Sequence, residues 1–164
     1  MAHSRSSARL FRLITLSLLG QLSCTPLLAA NFFNFNLFQG VNIESSDHQG
    51  SNMQEVNFQG TKMSRANFQN ANLSHAIFKE ADMKEANFQN TNLSGANLQN
   101  ANAARVNFLG AKIDSANLQN AKMAFANFQD TNLQNSSFQE SDLRKANFQG
   151  ANLTRTIFQS AVPQ

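Results

Sequence analysis

Every fifth residue from Met53 to Phe158 is apolar, beginning Met53, Phe58, Met63, Phe68, Leu73 and running through twenty-two positions without a break. Two positions earlier the residue is always small or β-branched, as in Ala66, Ala71, Thr91 and Thr156, and Asn usually lies between. The unit is therefore small–Asn–apolar–x–x, as in Ala66-Asn67-Phe68-Gln69-Asn70. On an α-helix five residues turn by about 500°, so successive apolar side chains step roughly 140° around the axis and share no face. On a straight strand five is odd, so they alternate faces. One geometry buries them all. Three extended residues place small and apolar side chains inward and Asn outward, and two more residues turn a corner. Four such units close a square coil of about twenty residues, and stacked coils pair at the sheet spacing of about 4.8 Å.

These units resemble those of the pentapeptide-repeat proteins. The resemblance covers residues 51–160 without a gap and fades through 31–50. It implies an all-β fold, a right-handed quadrilateral parallel β-helix (a pentapeptide-repeat solenoid) of about five to six coils. In that family the central apolar residue and the small residue two before it point inward.

Residues twenty apart should stack. Phe58, Phe78, Leu98, Leu118, Phe138 and Phe158 form one column, opposite Phe68, Phe88, Phe108, Phe128 and Phe148. Aliphatic columns lie between, one of them Met63, Met83, Ala103, Met123 and Leu143. Offset ring stacking accounts for 15 Phe, and a dry bore for the absence of Tyr and Trp, whose polar atoms would lack partners. Ala103 is the one undersized central residue, with adaptable Met83 and Met123 as neighbours.

Residues 1–30 read as a signal peptide, with Arg5, Arg9 and Arg12, the apolar run Leu13 to Leu19, and a small-residue exit at Ala29-Ala30. The run is short of the roughly 20 residues of a membrane span. Localisation is expected to be exported, periplasmic or secreted. Cys24 after Leu22-Ser23 resembles a lipoprotein box, although Gln21 stands where an aliphatic residue belongs. Membrane attachment is expected only if Cys24 is lipidated or the leader stays uncleaved. Residues 31–50 read as an irregular first coil or cap, because Glu44-Ser45-Ser46-Asp47-His48 breaks the pattern and His48 falls in the Phe column. Residues 161–164 form a tail, and no capping helix is visible. An uncovered last coil presents apolar surface and strand edges, so homodimerisation through the C-terminal coil is expected.

No catalytic, cofactor or metal site is expected. His48 and His75 lie in different columns, and Glu80, Asp82 and Glu85 interleave with Lys79 and Lys84 as a solvated charge-paired surface. Three of the 13 basic residues lie in the leader, leaving ten against 10 acids, so the rest of the chain is neutral. No nucleic-acid partner follows from that balance.

The charges are nevertheless polarised. Around the Met63 column lie Lys62, Arg65, Lys84, Arg105, Lys122, Arg144 and Lys145 against Asp82, Glu85 and Asp142, a net +4, and the other walls carry −4. Phe125 points outward in this strip between Arg105 and Lys145, as an interface anchor or as a ring lying under its neighbours' stems. Leu109, also outward, reads as incidental. The function expected is that of a non-catalytic exported scaffold for protein–protein contact, with this strip and Phe125 as the binding patch. The second reading is docking on an anionic surface or polyanion. The resemblance supplies a third. Some members of the family mimic duplex DNA and bind DNA gyrase, but they depend on a strongly acidic surface that this chain lacks.

Overall fold

The structure is a computed structural model and describes residues 38–162. The expected leader, Cys24 and residues 163–164 lie outside the described residues; Ala161 and Val162, expected as part of the tail, continue the repeat, Val162 bridging to Asp142.

The backbone is the same five-residue unit repeated twenty-five times, from the corner at Gly40 to the corner at Ser160. Consecutive coils are held by parallel bridges between residues twenty apart, from Asn42 with Lys62 to Asp142 with Val162. This is the right-handed quadrilateral parallel β-helix of the sequence reading, completed just over six times. The four walls are named here for their central residues, in chain order Phe58, Met63, Phe68 and Leu73.

The unit is stable because none of its backbone N–H groups is left over. In Ala66 to Asn70, Ala66 N donates to the Met63 carbonyl, closing a turn at 3.0 Å. Asn67 N donates to Ser46 O in the coil below (2.9 Å), and Phe68 N and Asn70 N donate to Asn87 O and Gln89 O in the coil above (2.8 and 3.0 Å). The fifth, Gln69 N, donates to the side-chain oxygen of Asn67 at 3.2 Å. The recurrent Asn therefore does for the corner what no backbone group can reach to do.

Each corner is a type II turn, whose second residue takes a positive φ. That position is Gly at six corners, but at nineteen it is an ordinary residue with φ of 55–62°. Gly95 and Gly110 sit where an added Cβ would meet His75 and Asn90 of the preceding coil, at 2.6 and 2.5 Å. At such corners the side chain below folds over the glycine above.

The bore is filled as the five-residue period requires. Phe58, Phe68, Phe78, Phe88, Phe108, Phe128 and Phe138 are fully buried, as are Ala103, Met83 and Met123. Rings twenty apart stack, for example Phe58 on Phe78 (5.1 Å, 5°) and Phe68 on Phe88 (5.0 Å, 11°). Rings of the opposing columns also meet edge-to-face across the bore, as Phe78 with Phe88 (5.8 Å, 89°) and Phe128 with Phe138 (5.4 Å, 88°). The column assignment did not contain this contact. It joins the two stacks wherever both walls carry Phe, and lapses at Leu98 and Leu118.

Two expectations change. Residues 38–50 are not irregular in backbone: turns close at 38–41, 43–46 and 48–51, and Asn42 and Asp47 bridge to Lys62 and Asn67. Only the side chains depart from the pattern, and backbone pairing does not require them to match. His48 likewise does not break the Phe column. It is buried and stacks on Phe68 at 4.9 Å and 19°, a flat ring in a slot for flat rings. At the other end the central residues are less covered, with Leu153 39% and Phe158 37% exposed.

Candidate functional site

The bridge register decides which outward side chains share a wall. Lys62, Asp82, Asn102, Lys122 and Asp142 bridge in succession up the Met63 wall. Arg65, Glu85, Arg105, Phe125 and Lys145 occupy its second-corner column, with Lys84 and Arg144 in the first-corner column beside it. The structure thus brings Lys62, Arg65, Lys84, Arg105, Lys122, Phe125, Arg144 and Lys145 onto one wall and the corner it shares with the Phe68 wall, all of them exposed. It also places Glu44 there, in the column of Lys84 and Arg144, so the wall sets seven bases against four acids, a net +3 and not the +4 expected.

Local pairing divides the seven cations into two sets. Arg144 grips Asp142 through two hydrogen bonds, Nε to Oδ1 at 2.8 Å and Nη2 to Oδ2 at 2.7 Å. That fork holds the Asp142 carboxyl below its ordinary range, the hydrogen bonds from Arg144 outweighing desolvation. Lys84 lies 3.6 Å from Asp82. Lys62, Arg65, Arg105, Lys122 and Lys145 make no ion pair within 4.0 Å among the described residues. The charge available to a partner is therefore carried by these five, and the sequence could not separate them from Lys84 and Arg144.

Phe125 is the centre of this surface. It is 47% exposed, with the Arg105 guanidinium carbon 4.8 Å and the Lys145 ammonium 5.2 Å from its ring centroid. Both cations are drawn to the ring, one from the coil below and one from the coil above. The φ of Phe125 is 62°, a conformation that a bulky residue adopts only at a cost. The sequence reading placed Phe125 between the two cations, but it contained neither the bracketing geometry nor the backbone strain.

Among the described residues no group of three or more His, Cys, Asp or Glu is arranged to hold a metal ion. His48 is buried away from this wall, and Glu80 lies 4.0 Å from Lys79 in a surface pair.

The model of pentapeptide repeats, in eight copies, matches residues 38–74, 51–90, 91–124 and 121–159. The chain belongs to the pentapeptide-repeat family. Solved structures of the same fold include a pentapeptide repeat protein of the Arabidopsis thaliana thylakoid lumen, 22% identical over 78% of this chain and 72% of that one, with a TM-score of 0.33. HetL, a pentapeptide repeat protein involved in heterocyst differentiation regulation from the cyanobacterium Nostoc sp. strain PCC 7120, is 21% identical over 82% of this chain and 92% of its own, with a TM-score of 0.31. QnrB1, a plasmid-mediated fluoroquinolone resistance protein, is 22% identical over 74% and 84%, with a TM-score of 0.39. No curated protein matches the chain.

Proposed function

We propose that this pentapeptide-repeat protein is a non-catalytic, exported scaffold that holds a protein partner against its Met63 wall, with Phe125 as the anchor. One observation carries this reading: an exposed aromatic ring bracketed by two cations. Aromatic residues flanked by Arg are the common anchors of protein interfaces. The positive φ is common to nineteen non-glycine corners, so the exposed ring and its two cations, and not the backbone, set Phe125 apart. Export is supported by the basic and apolar pattern of residues 1–30.

Affinity capture with the wild-type protein, Arg105→Glu and Phe125→Ala tests it. A partner retained by wild type and lost by both variants is expected. Identical partners for all three would discard the patch.

A second reading is favoured by the five unpaired cations: the same wall docks on an anionic surface or polyanion. Salt separates the two, since about 0.5 M should release a polyanion and spare an apolar contact at Phe125. The gyrase-binding reading ranks behind both, because ten basic residues balance 10 acids outside the leader. Supercoiling by gyrase that is insensitive to the purified protein would remove it. Self-association through the last coil accompanies the main reading, supported by exposed Leu153, Ile157, Phe158 and Val162.

A further inference from the structure

The Phe68 wall, around the corner from Phe125, carries a different chemistry. Its strand positions form a ladder of Asn67, Asn87, Asn107, Asn127 and Asn147, standing on Asp47. An Asn side chain has two donor hydrogens and an oxygen with two lone pairs. For Asn67, Asn87, Asn107 and Asn127 both lone pairs are taken. One accepts the backbone N–H two residues on, at about 3.2 Å, and the other accepts the amide of the next coil, at 3.2 Å. One hydrogen is given to the coil below. Each rung therefore keeps one N–H, and no lone pair in these four rungs remains to match it.

Beside the ladder run the first-corner residues Gln69, Gln89, Leu109, Gln129 and Gln149, four amides with one apolar side chain among them. The side chains of Gln69, Gln89 and Gln149 make no hydrogen bond to the described chain, and Gln129 reaches only Asp130, at 3.4 Å. No Lys or Arg occupies an outward position of this wall, and its only charges are Asp47 and Asp130. The corner with Phe125 forms one rim. The other rim is low, with glycine at Gly50, Gly110 and Gly150.

We propose that this wall binds an extended, uncharged β-1,4-linked polysaccharide lying along the coil axis. The row of neutral donors calls for a line of oxygen acceptors, which hydroxyl, ring and glycosidic oxygens provide. A polypeptide strand laid the same way offers carbonyls on one side only every second residue, roughly 6.7 Å apart, against a coil spacing of about 4.8 Å. It would also turn its own N–H groups on the row. A β-1,4 pyranose chain advances by close to one coil spacing per sugar, and although successive sugars are turned over, each presents hydroxyl or ring oxygens to the same side, so an acceptor can meet each rung. The wall has almost no charge to attract a polyelectrolyte.

The test is titration of the whole protein with cellohexaose and with chitohexaose, followed by calorimetry and by side-chain amide signals. Binding of at least one hexasaccharide is expected, unchanged within about twofold at 0.5 M salt. The triple variant Gln69→Ala, Gln89→Ala, Gln129→Ala should weaken it about tenfold or more, through loss of several neutral hydrogen bonds. Gln139→Ala on the opposite wall should leave it unchanged. Arg105→Glu, which breaks the proposed protein contact, should also leave it within about twofold, so the two readings fail separately. No binding of either hexasaccharide overturns the proposal, as does binding indifferent to the triple variant. Binding only of an anionic glycan such as polygalacturonate, released by salt, would move the ligand to the cationic strip and equally overturn it.

Discussion

His48 holds a place that Phe holds in the next five coils of its column, and its ring nitrogens make it the most conditional residue of the bore. The Ser46 hydroxyl donates to the Ile43 carbonyl at 2.6 Å, so its oxygen accepts from Nε2–H of His48 at 2.8 Å. Nδ1 is left as a buried lone pair with no donor. A proton arriving there would find no acceptor, and burial accordingly pulls the imidazole below its ordinary value of 6.5, with the neighbouring Asp47 charge opposing in part. Above 6.5 neither state binds the proton and the residue is neutral in the balance. As pH falls below that value, the unfolded chain takes up a proton that the folded chain refuses, so stability drops until the folded pKa is passed. Urea unfolding at successive pH values should show this loss. His48→Phe should remove the His48 share of it and add about 1 kcal/mol by replacing an unsatisfied buried acceptor with a ring.

Phe125 is the converse case, a residue the fold does not need. Its left-handed corner costs about 1 kcal/mol, and two exposed cation–π contacts return about 0.5 kcal/mol each. Phe125→Gly should therefore leave the unfolding midpoint almost unchanged while abolishing partner retention. A large destabilisation would make Phe125 a structural residue and remove its candidacy. His48 could be placed in the Phe column from the sequence because the period is strict. Its stacking and its bare nitrogen could not, because they depend on Ser46 and Phe68, which meet it only once the coils are stacked.

Among the repeating elements, the Asn ladder is continuous on one wall only. On the Leu73 wall Asn92 donates to Asn72 at 3.1 Å, but Lys112 interrupts the next step. On the Met63 and Phe58 walls, Lys62, Lys122, Ile77 and Ile157 do the same. Asn107→Ala should cost about 1–2 kcal/mol, since it strands the Leu109 N–H and parts Asn87 from Asn127. Lys112→Asn should gain about 1 kcal/mol by joining Asn92 to Asn132 on its wall. Denaturant midpoints of the two variants, moving in opposite directions, would check both. The recurrence of Asn was plain in the sequence, but its two jobs were not. One is local, capping the N–H two residues on. The other joins residues twenty apart and exists only when the coils are in register.

In the repeat body as a whole, each coil is buried by its neighbours, and the last described coil is the least covered of those near it. Ile157 is 51% exposed and Val162 45%, beside the partly uncovered rings of Phe148 and Phe158. The N–H groups of Phe148, Leu153 and Phe158, paired in every lower coil, have no backbone partner there. Apolar surface next to an open strand edge favours pairing with a second copy. Sedimentation should show a concentration-dependent dimer that Ile157→Glu with Val162→Glu abolishes. A monomer at every concentration would exclude it.

The period of five, by itself, determined the square coil, the inward columns and the wall on which each outward residue lies. It could do so because identical short units admit only one closed geometry that buries every fifth side chain. Which of seven cations are spoken for, how the two Phe stacks interlock, and what valence the Asn row has left were decided only by the tertiary structure. Those properties belong to contacts between coils, where angles of a few degrees and ångström distances select the partner, and a repeat read along the chain carries no such information.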